Sequence, residues 1–393
     1  MAFTFAHMAD CHLGAWSMHP ELRELSLKSF DYAIDECILR SVDFILISGD
    51  LFDTSMPPVE VLCRCAARLR EVAEKGIRVY VIPGSHDFSA SGKTMISVLE
   101  SAGLVTNVAK GDEYDGKLKF FRDRSGAWIT GILGRRGGLE KSYYESLKME
   151  TPEGFKIFMM HSAISEYKPE HLQQMDSIPL SLLPKGFDYY ANGHVHTKFE
   201  KTEQGYGKIV FPGLLFPTEF KELEKGTGGF VIVDDSLNAE YIRAPLYEAC
   251  VIDVDASGET PSEIERSVRA KLHDLGGAIV LVKIHGVMES GRPSDIDFKS
   301  MSALAHEKGA LAFKKNISQL RIKEMEQIDA MPEHMEDIED KIITEHLGQF
   351  NVFSDEKSVV KELMKSLSEE KGDTTASVYE ERIKAEAKKI LGV

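Results

Sequence analysis

The first half of the chain alternates short apolar runs with longer stretches whose apolar side chains recur at helical spacing. Strands are predicted at Phe3-Met8, Phe44-Ile47, Val79-Ile82, Phe155-Met160 and Phe187-Ala191. Between the second and third, Pro57-Pro58 opens a helix of about eighteen residues. Its apolar face is Val61, Leu62, Ala66, Leu69, Val72 and Ala73, and Lys75-Gly76 marks its end. This alternation is the rhythm of an α/β fold. From Phe211 to Arg243 strand-like runs, including Phe230-Val233 and Glu240-Ile242, follow one another with no helix between them. That predicts an antiparallel closure of the sheet.

Beyond Ala244 the pattern restarts as strand Val251-Val254, helix Glu263-Leu275, strand Ala278-Ile284, helix Ile296-Glu307 and strand Ala310-Phe313. This is a small α/β unit of about eighty residues. After Glu324 the chain becomes more polar, and the acidic stretch Glu333-Asp340 reads as a solvated face. Two amphipathic helices close the chain. Val359, Val360, Leu363, Met364 and Leu367 form the stripe of the first, Tyr379, Ile383, Ala387, Ile390 and Leu391 that of the second, and Lys371-Gly372-Asp373 is the break. Such a pair buries its stripes on itself only in part, which suits a partner surface. The expected division is therefore 1–243, 244–325 and 326–393.

With 393 residues, 43% hydrophobic and 28% charged, the chain can fill one large core and one or two small ones. Disorder, collagen-like repeats and a disulfide mini-scaffold are excluded. Five cysteines with no C-x-x-C pair read as reduced thiols of an intracellular protein. Cys63 and Cys65, two apart on a helix, point to different sides and make no metal pair. The N-terminus enters a strand without a signal-peptide pattern, and no apolar run is long enough to span a membrane. The net charge of −16, from 63 acids against 47 bases, gives no bulk attraction for nucleic acid. Any role on DNA must be local to a site.

Five short motifs sit just past predicted strand ends, where an open α/β sheet places its reactive groups. They are Asp10-Cys11-His12, Gly49-Asp50-Leu51-Phe52-Asp53, Pro83-Gly84-Ser85-His86-Asp87, His161-Ser162 and Gly193-His194-Val195-His196. Asp10 and His12, like His194 and His196, are two apart; in extended chain their side chains point the same way and can close on one ion. Carboxylate oxygen mixed with imidazole nitrogen, without thiolate, suits manganese, iron or zinc. Each motif alone is weak, because a lone histidine is usually a packed residue and a lone Gly-Asp a turn. Their joint order is specific. His19, His171, His273, His285, His306, His334 and His346 have no such context, and His7, on the first strand, reads as packing.

In this order the motifs resemble those of the calcineurin-like metallophosphoesterases: D-x-H, G-D-x-x-D, G-N-H-D/E, H and G-H-x-H. Within that superfamily His7-Met8-Ala9-Asp10-Cys11-His12-Leu13-Gly14 and the later segments are similar to the SbcD-type DNA double-strand-break repair nucleases, the nuclease subunit of SbcCD and MRN complexes. The compact length resembles the archaeal branch. The resemblance covers residues 1 to about 243 by motif. It implies a four-layer α/β phosphoesterase sandwich, a small α/β DNA-capping domain over 244–325, and a C-terminal helix pair. It also implies two manganese ions per subunit, one held by Asp10, His12, Asp50 and His196, the other by Asp50, His161 and His194, with Asp50 bridging. His86 matches the family's catalytic histidine, while Asp53 and Asp87 stand behind the ligands.

One position departs from the family pattern. The asparagine that completes the second ion's ligands is Ser85 here, a shorter and weaker donor. The implied activity is a manganese-dependent 3′-to-5′ exonuclease on duplex ends and an endonuclease on single strands, cytoplasmic and nucleoid-associated. The implied partners are DNA, a second copy of the chain through helices such as Pro57-Lys75, and an SMC-like, SbcC-type coiled-coil ATPase docking on residues 354–393. A phosphomonoesterase or cyclic-nucleotide phosphodiesterase of the same fold, and a non-catalytic scaffold, are the rival readings. Ser91-Gly92-Lys93-Thr94 is no phosphate-binding loop, because Asp87 stands where that loop needs its earlier glycine. Gly134-Arg135-Arg136-Gly137-Gly138 reads as a turn, and Phe313-Lys314-Lys315-Asn316 and Arg321-Ile322-Lys323 as a solvated edge. Phe211-Pro212-Gly213 resembles the family's Y-P-G-S segment and is assigned no chemistry.

Overall fold

The computed structural model describes residues 2–88, 94–109, 117–135, 141–148, 150–169, 172–226, 228–323, 356–368 and 376–391. The chain divides into two compact units. The first comprises 1–255, 262–285 and 294–319, and the second comprises 256–261, 286–293 and 320–393.

Two six-stranded sheets organise the first unit. In chain order the strands are β1 (Thr4–Met8), β2 (Phe44–Ser48), β3 (Arg78–Ile82), β4 (Thr106–Asn107), β5 (Phe121–Arg122), β6 (Trp128–Gly131), β7 (Lys156–His161), β8 (Ala163–Ile164), β9 (Ser177–Ile178), β10 (Tyr189–Gly193), β11 (Phe199–Thr202), β12 (Lys208–Phe211), β13 (Gly229–Asp234) and β14 (Ala239–Arg243). The sheet orders are β14-β13-β1-β2-β3-β4 and β11-β12-β10-β7-β6-β5. β1, β2 and β3 run parallel, and β13 closes antiparallel on β1 with Phe5 opposite Val233. The antiparallel closure expected from the run of apolar segments is thus present in the first sheet.

Side-chain alternation explains the layering. Phe5, Phe44, Leu46, Tyr80 and Ile82 on one face of the first sheet pack with Ile129, Ile157, Met159, Tyr189 and Ala191 of the second. The opposite face, with Ala6, Met8, Ile45, Ile47, Val79 and Val81, packs on helices α1 (Pro20–Leu39) and α2 (Val59–Glu74). Both faces of these strands are buried, so each reads as an unbroken apolar run.

Two helices of this unit are not among those the sequence predicts. Helix α1 carries no clean apolar stripe, because it is buried on two sides: Phe30, Ala33 and Ile34 face the sheet, while Leu22 and Leu25 join a second cluster with Phe216, Leu223, Ile279 and Ala312. The stretch from Phe211 to Arg243 is not free of helix. After short helices α3 (Met95–Ser101) and α4 (Lys141–Glu145) comes α5 (Phe220–Lys225), six residues long and closed at its start by a capping box between Glu219 and Glu222.

Further along, β15 (Ala249–Asp255) pairs in parallel with β16 (Ile279–Met288), and β17 (Ala312–Ile322) completes a three-stranded sheet flanked by α6 (Pro261–Lys271) and α7 (Phe298–Glu307). The helix expected to reach Leu275 stops at Lys271, ahead of left-handed residues at Asp274, Gly276 and Gly277. In the second unit, α8 (Glu356–Ser368) and α9 (Ala376–Leu391) pair, with Ser366 Oγ bonded to Glu386 Oε2 at 2.7 Å. Val360 and Met364 remain exposed at 38% and 40%. The acidic stretch at 333–340 lies outside the described residues, as do Ser91-Gly92-Lys93; Thr94 accepts a bond from Ile96 N as the cap of α3. Among the described residues, no helix is long and apolar enough to cross a membrane.

Candidate metal centre

All five motifs lie at or just beyond the C-terminal ends of β1, β2, β3, β7 and β10. The loops after β1 and β2 run side by side, through Asp10 N to Gly49 O at 3.1 Å, His12 N to Asp50 O at 3.0 Å and Leu13 N to Leu51 O at 3.0 Å. This pairing sets Asp10 and His12 against Asp50. The extended conformation expected at Asp10-Cys11-His12 and at His194 is not what brings the side chains together. β1 ends at Met8, and Asp10, His12, Asp50 and His194 have left-handed φ of 49°, 42°, 50° and 78°. Such backbone costs energy in residues with a Cβ and persists where surrounding bonds over-determine it.

Among the described residues, three groups place ligand atoms within 4.8 Å of one another: Asp10 with His12 and His196, Asp10 with Asp50 and His161, and His12 with Asp50 and His86. His194 belongs to none of the three. Its ring lies edge-on to His161 with centroids 5.1 Å apart, and its backbone N–H donates to both Asp10 oxygens at 3.0 Å. Ser85 faces the site and donates its hydroxyl to Asp50 Oδ2 at 3.4 Å. Asp50 Oδ1 also accepts the His86 backbone N–H at 2.7 Å.

Behind these side chains, Asp53 Oδ1 lies 3.4 Å from His12 Nδ1, and the Asp53 carbonyl accepts from His86 Nδ1 at 2.8 Å. Asp87 accepts the N–H groups of Gly84, Phe52 and Leu51 at 2.9, 3.1 and 3.3 Å and so ties the second motif to the third. Gly134 is the described start of the basic loop, and a Cβ there would press on the His161 ring. Arg135 lies over the Tyr143 ring at 5.3 Å. His7 is buried and bonded through Nδ1 to Tyr189 Oη at 2.9 Å.

Two residues that carry no motif complete the site. Asn192 accepts from Ser162 N at 3.2 Å and donates to Ser162 O at 3.0 Å, fastening the β7 loop to the β10 loop. Glu222 of α5 accepts from His196 Nδ1 at 2.8 Å. Asn192 directly precedes the last motif and was open to notice. Glu222 is 26 residues past His196, and nothing in the sequence links them.

The donor set fits a divalent cation. His12 Nε2 and His161 Nε2 are buried with no hydrogen-bond partner among the described residues, although His161 Nε2 lies 3.1 Å from Asp50 Oδ2. Burial raises the Asp10 carboxyl, with the neighbouring histidines opposing it. Burial also opposes charge on His161, but the Asp50 carboxylate outweighs it and pushes the imidazole up to about 10. His194 is driven the other way, down to about 3, by burial and then by His161. Cys11 is buried in the helix-side core, its thiol pushed well up by burial, and supplies no thiolate. Oxygen and nitrogen donors around buried, unbonded imidazole nitrogens form a site for a hard or borderline cation.

The chain is 29% identical over 273 residues to the DNA double-strand break repair protein Mre11 of Methanopyrus kandleri, covering 65% of this chain and 57% of that one. It is 28% identical over 280 residues to Mre11 of Sulfolobus acidocaldarius, covering 68% and 69%. It is also 28% identical over 264 residues to the uncharacterised metallophosphoesterase YhaO of Bacillus subtilis, covering 64% and 63%. The matches thus span between 57% and 69% of these relatives' own lengths. Residues 3–198 match the model of the calcineurin-like phosphoesterases and contain every motif residue named above, so this chain belongs to that family.

Proposed function

We propose that this chain is a manganese-dependent DNA nuclease of double-strand break repair, hydrolysing phosphodiesters at a two-metal centre. The observation that carries the reading is the convergence of Asp10, His12, Asp50, His161 and His196 around buried imidazole nitrogens that face carboxylate oxygens and, among the described residues, have no hydrogen-bond partner. The likeness to Mre11 proteins supports DNA as the substrate. In this reading Asp10, His12, Asp50 and His196 hold one ion, and Asp50, His161 and His194, with Ser85 beside them, hold the other. Such a pair supplies the positive charge that activates water and neutralises the phosphate.

The chain's own groups orient and protonate. His86 is anchored through Nδ1 by the Asp53 carbonyl, which leaves Nε2 to bond a phosphate oxygen or to protonate the leaving 3′ oxygen. Asp53 and Asp87 hold the loops that carry these groups. The activity expected is 3′-to-5′ exonuclease on duplex ends and endonuclease on single strands. A division into a nuclease domain (1–243), a DNA-capping domain (244–325) and an ATPase-binding tail (326–393) goes with it. The exposed stripe residues Val360 and Met364 support docking of an SMC-like coiled-coil ATPase on 354–393. Exposed Met56, Val59 and Val98 support a homodimer. With a net charge of −16, the isolated chain should bind DNA weakly and in a metal-dependent way, in the cytoplasm at the nucleoid.

The test is incubation with linear duplex DNA and manganese, beside His86→Ala and a small aryl phosphate. DNA cleavage lost in His86→Ala is the expected result. Turnover of only the aryl phosphate sinks the nuclease reading, and absence of both turnover and metal uptake indicates a scaffold. Deleting 354–393 should abolish co-purification with the ATPase while manganese-dependent cleavage persists.

A further inference from the structure

His196 is more open than His12 and His161, the two buried histidines at the carboxylates. Its side chain is 32% exposed, against 3% for His12 and 0% for His161. Packing fixes the buried rings, but it cannot by itself fix this one. What holds His196 is Glu222, whose Oε1 accepts from Nδ1 at 2.8 Å. The ring then points Nε2 toward Asp10, 4.0 Å from its Oδ1.

Glu222 is itself immobilised. Its Oε2 accepts three donors: Thr218 N at 2.8 Å, Thr218 Oγ1 at 3.0 Å and Glu219 N at 2.9 Å. Its two oxygens thus accept four hydrogen bonds in all, the pattern of an ionised carboxylate, which can only accept. Facing it, Nδ1 must carry the hydrogen, and in the neutral ring the lone pair is on Nε2. Glu222 also lies beyond residue 198, outside the stretch matched to the family.

We propose that Glu222 is a positioning residue of the metal centre: from helix α5 it fixes both the orientation and the tautomer of His196, so that Nε2 is presented as a ligand. This rests on the metal-centre reading above and adds to it a residue that none of the five motifs contains. The short helix has a functional reason in this view, since its capping box and the ligand's anchor are the same carboxylate.

Glu222→Gln separates the two roles. A glutamine has one accepting end and one donating end. Three donors face Oε2 and one faces Oε1, so the amide oxygen goes to the helix cap and the NH2 turns to His196. The ring must then accept at Nδ1 and carry its hydrogen on Nε2, which blocks ligation. Titration of wild-type and Glu222→Gln full-length protein with manganese chloride, by calorimetry and by the electron paramagnetic resonance of bound ion, should show one binding step weakened by about 10- to 100-fold. The melting temperature should stay near that of the wild type, because glutamine also serves in a capping box. Equal manganese affinity in the two proteins overturns the role of Glu222 alone, whereas a wild-type protein that takes up no manganese overturns the metal-centre reading. A measurement independent of the variant's folding is the ¹⁵N histidine spectrum of metal-free wild-type protein. There His196 should carry its hydrogen on Nδ1, and an Nε2–H tautomer refutes the proposal.

Discussion

His161 donates its Nδ1 hydrogen to the backbone carbonyl of Ser48 at 2.8 Å, across 113 residues of sequence. The bond joins the end of β7 in one sheet to the end of β2 in the other. It turns Nε2 toward Asp50, which sits two residues past that carbonyl, so one backbone atom fixes a site side chain from each sheet. Close approach is part of the device: a Cβ at Gly193 would overlap Ser48 O and crowd His161 Nδ1. The centre is thus built where two sheets meet, and its geometry depends on how they are packed.

Metal uptake should release protons and stabilise the fold. Without a cation the His161 imidazole, held up at about 10 by Asp50, is protonated at pH 7. Ligation through Nε2 requires that proton to leave, so affinity should rise as pH rises toward that value. Manganese titrations in two buffers of different ionisation enthalpy should give different apparent heats, and equal heats would count against the linkage. At manganese about a hundredfold above its Kd, binding should add about 2.7 kcal/mol. That should raise Tm by about 5 °C, and a chelator should reverse the gain.

Gly84→Ala should damage the centre more than the fold. A Cβ at this position would overlap the backbone N and Oδ1 of Asp50. The added methyl forces Asp50 out of reach of His161, at a cost to stability of about 1–3 kcal/mol. Manganese calorimetry beside a thermal melt checks this. Wild-type manganese affinity in Gly84→Ala would show that the close approach of the two loops is not required.

The motif residues could be seen in the sequence because each lies next to a strand end, and strands buried on both faces announce themselves as apolar runs. The structure brings most of them together, though through left-handed backbone at Asp10, His12, Asp50 and His194 that residue types do not encode. Helix α1 was hidden because Leu22 and Leu25 face one cluster while Phe30 and Ile34 face another, which erases the single stripe. Helix α5 was hidden by its six-residue length amid strand-like runs, and Glu222 was hidden with it. The Ser48 carbonyl is backbone, and no residue type marks it.

Arg64 should matter modestly, and less in salt. From α2 it bonds Glu24 at 2.8 Å and Asp31 at 2.5 Å, both on α1, and its side chain is 31% exposed. Partly exposed pairs are screened, so Arg64→Ala should cost about 1 kcal/mol. Urea unfolding at low and high ionic strength should show the difference shrinking with salt. A cost independent of salt would indicate lost packing of the arginine stem instead.

Asp87 should be the costliest of the residues behind the ligands. Its carboxylate is 1% exposed and accepts three backbone N–H groups, from Gly84 and Leu51 on Oδ2 and from Phe52 on Oδ1. Asparagine of the same shape must turn its NH2 toward at least one of these donors, which leaves that donor unpaired and costs about 2 kcal/mol. Alanine removes the acceptor from all three donors and should cost about 4 kcal/mol, the larger value because three buried N–H groups lose this bond rather than one. Because these donors belong to the loops carrying Asp50, Ser85 and His86, both variants should also bind manganese more weakly, in the same order as their instability. Urea midpoints and manganese titrations on the same preparations test the two together. Alanine less damaging than asparagine would mean that water or a shifted loop replaces the carboxylate, and Asp87 would then not be the brace between the second and third motifs.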